Sequence, residues 1–380
     1  MPTDPTPFSD LPAALVEEVL GQTSEVGDRL LATFSGIREQ RETLREKLDE
    51  HGLVLSEHSL GAPPIPTTCA TDGSYAIERL LTIDLVAAAA VIVEGLTPPS
   101  EARYWDEPRH TTYVETETHH AETSTVLRAV MVGNELHLAQ HAPHDLVMID
   151  GSFTLPIIYF NQALNIAPES DLLCAQEFLN NSEAYLDAYN TLLCSERSDR
   201  QFIALPKYAT RREIGQRVGW PENHDDRGLL TLILKPGELT KPLPLERHGQ
   251  WHLNIERLPS EIKQAVAPLA DDIVDALEQV YVFYYKPHDW LPALRVETAA
   301  SVARNTHRLA TVIQGLRSQC ATASMLEPYP IYLADRTVKS LARAVPAFRQ
   351  VATQRVSEKY DGDIGEVFFA MHGYRSESGV

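Results

Sequence analysis

Two copies of the tripeptide Asp-Gly-Ser, each directly after a strand-like stretch, constrain the fold of this sequence more than any other feature. The first copy, at 72–74, follows residues 68–70, and the second, at 150–152, follows the apolar run 146–149. Short apolar or β-prone runs of this kind predict buried strands. Glycine after aspartate lets the backbone turn sharply, so both copies predict turns. We therefore expect a sheet that presents two carboxylates at strand ends.

The rest of the sequence alternates helical and strand-like patterns. We predict helices over 12–51, 118–141, 155–198, 298–320 and 331–350, strands over 80–93, 202–205, 280–286 and 294–297, and a strand or short helix over 229–234. This order indicates an α/β fold, a mixed sheet with flanking helices and helical N- and C-terminal additions. We expect residues 1–60 to form an N-terminal helical arm, residues 61–350 the main domain and residues 351–380 a C-terminal tail.

The composition excludes several classes of protein. No apolar run reaches the roughly 18 to 20 residues that a membrane helix needs, and the proline-rich, acidic start does not resemble a signal peptide. The four cysteines lack CxxC spacing, which indicates reduced thiols and no cysteine zinc site. We therefore expect a cytoplasmic protein with no membrane partner.

The net charge of −20 argues against a protein that wraps nucleic acid over its whole surface, because such proteins are usually basic. The charge does not exclude a nuclease. A cluster of carboxylates that binds metal ions contributes to the negative balance, and it can hold phosphates through the ions and a few local basic residues.

Asp72 and Asp150 are the first candidates for such a cluster. Carboxylates on neighbouring strands can share hard cations, since Mg²⁺ and Mn²⁺ take oxygen ligands. A single Asp-Gly-Ser is usually an ordinary turn. Two copies, both after apolar strands, leave the turn and the metal ligand as open alternatives.

A third carboxylate is expected from the helix between the two aspartates. Glu135 shares a helical face with Met131, Leu138 and Ala139, so it points inward with the apolar residues. A carboxylate on a buried face is costly unless it is paired or bound to a metal. Glu122 is the second choice for this position.

Other patterns support weaker hypotheses. Histidines cluster at 119, 120, 137, 141 and 144, and the pair four residues apart at 137 and 141 suits zinc. No HExxH pattern flanks them, so we interpret them as surface or supporting residues and keep a zinc hydrolase as a third hypothesis. There is no G-x-S-x-G motif and no P-loop, which argues against a serine hydrolase and against ATP hydrolysis by this chain.

Taken in order, the motifs resemble those of the NurA nucleases, a family that works with HerA-type DNA translocases. The two aspartate motifs resemble the family's own, and the later motifs follow in the same order over roughly residues 68 to 345. The matching segments are CATDGSY at 69–75, LVMIDGS at 146–152, IALPK at 203–207, DRGLL at 226–230, KPGE at 235–238, YYKP at 284–287, RVE at 295–297 and PIYLAD at 330–335.

The resemblance implies an RNase H-like core and a manganese- or magnesium-dependent nuclease acting on DNA ends by two-metal hydrolysis. It also implies a homodimer and a HerA-like hexameric ATPase as partner. In the family, two Asp, one Glu and a late His hold the metals, with a Tyr nearby. Asp72 and Asp150 match directly, Glu135 matches by position, and Asp335 takes the place of the late His.

The family's Tyr falls on Glu327 in this sequence, and Tyr329 close by is a candidate replacement. Lys207, at a strand end, is a candidate for contacting the phosphate, and we assign Ser74 and Ser152 to substrate binding as well. The missing His motivates the competing hypothesis: a catalytically degenerate NurA-like subunit that binds DNA, or acts as an adaptor, without cutting it. For an active enzyme, DNA repair and defence against phage both remain open.

Overall fold

The computed structural model describes residues 11–246 and 249–379. The helices are α1 (Ala13–Glu50), α2 (Thr123–Gln140), α3 (Leu155–Ile166), α4 (Leu173–Cys194), α5 (Glu213–Val218), α6 (Asp226–Ile233), α7 (Ser260–Leu277), α8 (Ala300–Ala303), α9 (Thr306–Gln319), α10 (Tyr329–Val338), α11 (Ser340–Lys359) and α12 (Ile364–Ala370). The strands are β1 (Val54–Ser56), β2 (Thr68–Leu80), β3 (Asp84–Glu94), β4 (Arg109–Glu117), β5 (Leu146–Asp150), β6 (Gln201–Leu205), β7 (Glu238–Thr240), β8 (Leu243–Pro244), β9 (Val280–Lys286), β10 (Leu294–Ala299) and β11 (Gly373–Gly379).

All described strands belong to one mixed sheet with the order β1-β7-β9-β10-β6-β5-β2-β3-β4, to which β8 and β11 add at β9 and β2. The pairs β2–β5 and β5–β6 are parallel, and the others are antiparallel. Three antiparallel strands (β2, β3 and β4), followed by two parallel strands reached through helices (β5 and β6), form the kind of mixed core that the family resemblance implies. The predicted fold class is confirmed.

Helices cover both faces of the sheet. Side chains of a strand point alternately to opposite faces. In β5, Val147 and Ile149 pack in the largest core, under α2, α3, α4 and α7. Leu146 and Met148 pack on the opposite face, in the core that α9 closes. A strand buried on both faces needs a continuous apolar run, which explains why β5 was easy to predict.

The long strand β2 has different partners along its length. On one edge, β3 pairs with residues 69–79. On the other edge, β5 pairs with residues 68–71 and β11 with residues 75–80. Among the described residues, the Asp-Gly-Ser at 72–74 therefore lies in a gap between two strands that share this edge.

Two local predictions were wrong, and one open alternative was decided. The Asp-Gly-Ser at 72–74 is not a turn: it continues β2, because pairing with β3 holds it extended. The second copy does turn, with Gly151 at φ 106°. Residues 80–93 are not one strand, since β2 ends at Leu80 and β3 begins at Asp84, and the edge strand β4 was missed. The ambiguous segment 229–234 belongs mostly to helix α6.

The two ends of the chain form secondary structure of their own. Helix α1 matches the predicted helix; only Leu44 and Leu48 of it are buried, and β1 then joins the sheet through β7. Residues 1–10 of the predicted arm lie outside the described residues. Helix α11 continues nine residues past the expected boundary at 350, and α12 and β11 follow within the predicted tail. None of the described helices is long and apolar enough to cross a membrane.

Candidate metal centre

Three aspartates from distant parts of the sequence meet at the gap beside β2. One carboxylate oxygen from each of Asp72, Asp150 and Asp335 lies within 4.8 Å of the others. The parallel register pairs Thr71 with Ile149, so the next residues, Asp72 and Asp150, stand side by side where β5 ends. Helix α10 packs against β2 and brings Asp335 to them.

Glu135 reaches the same place from the opposite face of the sheet. It is buried on α2 and lines a cavity with Asp72, Asp150 and Asp335. Gly73 makes this approach possible, because a Cβ there would lie 2.2 Å from Glu135 Oε1. We call Asp72, Glu135, Asp150 and Asp335 the carboxylate cluster.

Two lysines partly neutralise the carboxylate cluster. Lys207 follows β6, and its Nζ lies 2.7 Å from Asp150 Oδ2 and 3.4 Å from Asp335 Oδ1. The same Nζ lies 3.1 Å from Glu327 Oε2, at the rim of the site. Lys339 directly follows the last residue of α10, and its Nζ lies 2.8 Å from Asp335 Oδ1. The four acids of the carboxylate cluster and Glu327 outnumber the two lysines, so the site has more acidic than basic groups.

The environment disfavours the charged forms of the buried acids. Burial, followed by the charge of Asp150, raises the pKa of Asp72 to about 8. Burial and the charges of Asp72 and Asp150 raise the pKa of Glu135 well above its usual range. Burial also raises the pKa of Asp150, although Lys207 opposes the increase. A bound cation would favour the ionised form of all three groups.

The donor set fits a hard divalent cation. Asp72 Oδ2 is buried and has no hydrogen-bond partner among the described residues, whereas its Oδ1 accepts a hydrogen bond from the Gly73 amide at 2.8 Å. Unpartnered buried oxygens are rare in folded proteins. Carboxylate oxygens converging on one point are the ligands that Mg²⁺ and Mn²⁺ prefer.

A second set of buried charges, which the sequence analysis missed, supports the turn after Asp150. Glu297 accepts hydrogen bonds from Ser152 Oγ at 2.6 Å and from the Phe153 amide at 3.0 Å. Arg295 contacts Glu297 and forms a two-pronged ion pair with Glu213 at 2.7 and 2.8 Å. We call Glu213, Arg295 and Glu297 the arginine network. Charged residues inside an apolar strand, at 295 and 297, were the available signal.

A comparison with protein-family models matches residues 66–340 to the NurA domain. This match covers more than two thirds of the chain. The chain belongs to the NurA domain family. No curated protein sequence matched it.

Solved NurA structures share the fold. The NurA nuclease from Sulfolobus solfataricus aligns with a TM-score of 0.58 and 11% identity, over 90% of this chain and 98% of that one. A structure described as NurA with manganese aligns with a TM-score of 0.54 and 11% identity, over 90% and 99% of the two chains. One described as NurA bound to dAMP and manganese aligns with a TM-score of 0.52 and 11% identity, over 84% and 93%.

The remaining residues predicted from the NurA resemblance lie in varied surroundings. Ser74 is buried in β2, and the Ser152 hydroxyl is engaged by Glu297. Glu327 contacts Lys207, whereas Tyr329, in the described part of the chain, lines neither the cavity of the carboxylate cluster nor the one beside Glu327. The second-choice acid, Glu122, precedes α2 and is likewise not among the residues that line these cavities.

The histidines form no comparable group. His137 and His141 contact each other at the exposed end of α2, with ring centroids 4.5 Å apart and ring planes tilted by 46°. His144 is buried against Glu94, and His119 contacts Asp84. Among the described residues, the three aspartates are the only group with metal-ligand spacing, so the structure gives the zinc hypothesis no support.

Proposed function

We propose that this protein is a metal-dependent deoxyribonuclease of the NurA family that uses Mn²⁺ or Mg²⁺. One observation carries the proposal: three aspartates converge within 4.8 Å at the end of a parallel strand pair, and one of their buried oxygens has no protein partner among the described residues. The solved relatives, a NurA nuclease and NurA structures with manganese and with dAMP, support the same chemistry.

In the proposed two-metal mechanism, Asp72, Glu135, Asp150 and Asp335 would hold the ions. When bound, such ions activate a water molecule and stabilise the leaving oxygen of a phosphodiester. Asp72, inside β2 at the gap in its edge, and Asp150, at the end of β5, stand side by side and would both be ligands of the ions. Lys207 would exchange a carboxylate for a phosphate oxygen when substrate enters. The arginine network would hold the turn at Gly151–Ser152, and with it the direction of the Asp150 carboxylate.

The remaining parts of the proposal rest on the family resemblance. We propose that the protein acts on DNA ends together with a HerA-like hexameric ATPase, as a homodimer in the cytoplasm, with residues 1–60, 61–350 and 351–380 as arm, nuclease domain and tail. The outer part of α1 offers a surface for such partners, because a series of apolar side chains on it is exposed: Leu15, Val19, Leu20, Val26, Leu30, Leu31 and Phe34. Tyr329, Ser74 and Ser152 remain candidate substrate or catalytic residues.

A degenerate, non-cutting NurA subunit is the second candidate function. The observation that favours it is the position of Lys207, whose ammonium group contacts Asp150, Asp335 and Glu327 as a bound cation would. Burial opposes the charged form of Lys207, but the charges of Asp150 and Glu327 and the hydrogen bonds to them together raise the pKa of the lysine. In this alternative, the lysine permanently replaces a metal ion, and the protein serves as a DNA-binding or adaptor subunit.

Cleavage and metal binding can be tested separately. Linear DNA is incubated with Mn²⁺ and wild-type protein, Asp72→Asn or Asp150→Asn, with and without the ATPase partner. Since each substitution removes a proposed metal ligand, we expect cleavage to fall by at least about 100-fold. In the same samples, Mn²⁺ should raise the melting temperature of the wild type. The increase should be smaller at pH 6 than at pH 8, because Asp72 must lose its proton to bind the ion.

The matched control is Asp199→Asn, an exposed aspartate paired with Arg197 on the surface. It should cleave DNA and respond to Mn²⁺ as the wild type does. A wild type that binds Mn²⁺ but never cuts, even with the partner, would contradict the nuclease and support the adaptor. A wild type with no response to Mn²⁺ and no cleavage would exclude the proposed metal centre as well.

A further inference from the structure

A tyrosine in the loop after β6 is almost fully exposed beside the carboxylate cluster. Tyr208 immediately follows Lys207, and 95% of its surface is accessible. An aromatic ring is rarely left this open to water, because burying it stabilises the fold by a few kcal/mol. Nothing in the proposed hydrolysis uses this ring, which indicates a binding role.

The ring lies in a groove that continues from the cavity of the carboxylate cluster. The groove has a volume of about 630 Å³ and is lined by Tyr208, Thr210 and Arg211. It shares five residues with that cavity: Asp150, Gly151, Ser152, Leu155 and Lys207. A site of about 300 to 1,000 Å³ is large enough for a small ligand, so one or more nucleotides can lie next to the aspartates.

Arg211 supplies an unused donor in the same groove. Its Nη1 is buried and has no hydrogen-bond partner among the described residues. The backbone of the residue is held in place, because its carbonyl accepts a hydrogen bond from the Asp226 amide at 3.2 Å. A guanidinium group with a free donor suits a phosphate oxygen. The loop therefore presents one stacking surface and one phosphate-binding group.

We propose that the loop at 206–211 binds the single-stranded end of a DNA substrate next to the scissile phosphate. Tyr208 stacks on an unpaired base, and Arg211 pairs with a phosphate of the same strand. A ring on a surface loop reaches a base face only where the base is unstacked, which favours a single strand over a duplex. The inference deepens the proposed nuclease function and rests on it, since it assigns the strand that the site receives.

Binding is measured without cleavage by placing every variant in an Asp72→Asn background with Mn²⁺ present. A labelled single-stranded oligonucleotide reports the Kd by fluorescence anisotropy, and a 2-aminopurine base near its end reports stacking by loss of fluorescence. We expect Tyr208→Ala to weaken binding by about tenfold and to abolish the fluorescence loss, in line with stacking energies of about 1–3 kcal/mol per base. Tyr208→Phe should keep both signals, and Arg211→Ala should weaken binding while retaining the stacking signal.

Phe369→Ala and Arg355→Ala, both at exposed positions outside the groove, are the matched controls and should bind as the background does. Equal binding and equal fluorescence loss for Tyr208→Ala and its background would overturn the proposal, as would an equal effect of Tyr208→Ala on a blunt duplex. Failure of the nuclease proposal gives a different result. A wild-type protein that never cuts DNA, yet shows Tyr208-dependent stacking, would contradict the nuclease function and support the binding site.

Discussion

The carboxylate cluster and the arginine network are both buried sets of charged groups at the same sheet, but basic groups compensate their acids to different degrees. In the arginine network, burial would raise the pKa of Glu213, yet the hydrogen bonds and charge of Arg295, together with backbone hydrogen bonds, lower the pKa. In the carboxylate cluster, burial and like charges prevail and raise the pKa of Asp72 to about 8. Complete pairing is typical of a structural element, whereas an unbalanced set of acids is what the proposed metal centre requires.

The largest expected effect that tests this contrast comes from the removal of Arg295. Arg295→Met leaves Glu213 and Glu297 buried without their partner, so we expect the free energy of unfolding to fall by about 3–5 kcal/mol. Urea denaturation monitored by circular dichroism measures the change. Arg355→Met, at an arginine of which 74% of the side chain is exposed, is the control and should change little. If both variants unfold alike, the arginine network is not the structural element described above.

An opposite and smaller effect is expected in the carboxylate cluster. The raised pKa of Asp72 means that the folded protein loses stability as pH rises from about 4 to about 8, and the cost stays constant above that. Asp72→Asn removes this cost. With a chelator present, it should stabilise the protein at pH 8 by about 3–4 kcal/mol more than at pH 5. Denaturation midpoints at the two pH values measure the difference.

Asp199→Asn provides the comparison for that experiment. Asp199 is exposed, and its hydrogen bond with Arg197 lowers its pKa to about 2. It is ionised at both pH values, so its substitution should have the same effect at pH 5 and pH 8. If Asp72→Asn destabilises the protein at pH 8, the negative charges of the carboxylate cluster are compensated as fully as those of the arginine network.

The smallest expected effect on stability concerns Gly73, where the absence of a side chain leaves room for Glu135. In Gly73→Ala, the new methyl group meets Glu135 Oε1 and Met131 Cγ, which are parts of flexible side chains. We expect a cost of about 1 kcal/mol in unfolding free energy but a clear loss of the Mn²⁺-induced rise in melting temperature, because Glu135 must move away. Thermal denaturation with and without Mn²⁺ measures both.

Gly27→Ala is the control, because a Cβ at this position of α1 would meet nothing within 4 Å. It should raise helix stability slightly and leave the Mn²⁺ response intact. A Gly73→Ala variant with an unchanged Mn²⁺ response would remove Glu135 from the proposed ligands.

The sequence predicted those parts of the fold whose pattern is local. The runs at 146–149 and 202–205 are apolar because both faces of their strands are buried, and they became β5 and β6. β4 is an edge strand with exposed polar residues, so its pattern resembles that of a loop. The Asp-Gly-Ser at 72–74 has turn composition, but pairing with β3 overrides that preference, and this tertiary effect has no local signature.

The site was predictable to a similar degree. Asp72 and Asp150 followed from strand context and resemblance, and Glu135 from its helical face; the structure brings these residues together with Asp335, while their roles remain proposals. The arginine network was missed because Glu213 and Arg295 are 82 positions apart in the sequence. Tyr208 was missed because an exposed aromatic residue in a loop gives no pattern until its surroundings are known.

The dispersal of the carboxylate cluster along the sequence has a consequence for synthesis of the protein. The ribosome makes the first three acids of the cluster early: Asp72, Glu135 and Asp150. Asp335, on α10, is made only after every strand of the sheet except β11. A chain released before α10 therefore lacks one of the four cluster carboxylates. The complete carboxylate cluster can therefore form only in a chain whose synthesis has passed α10.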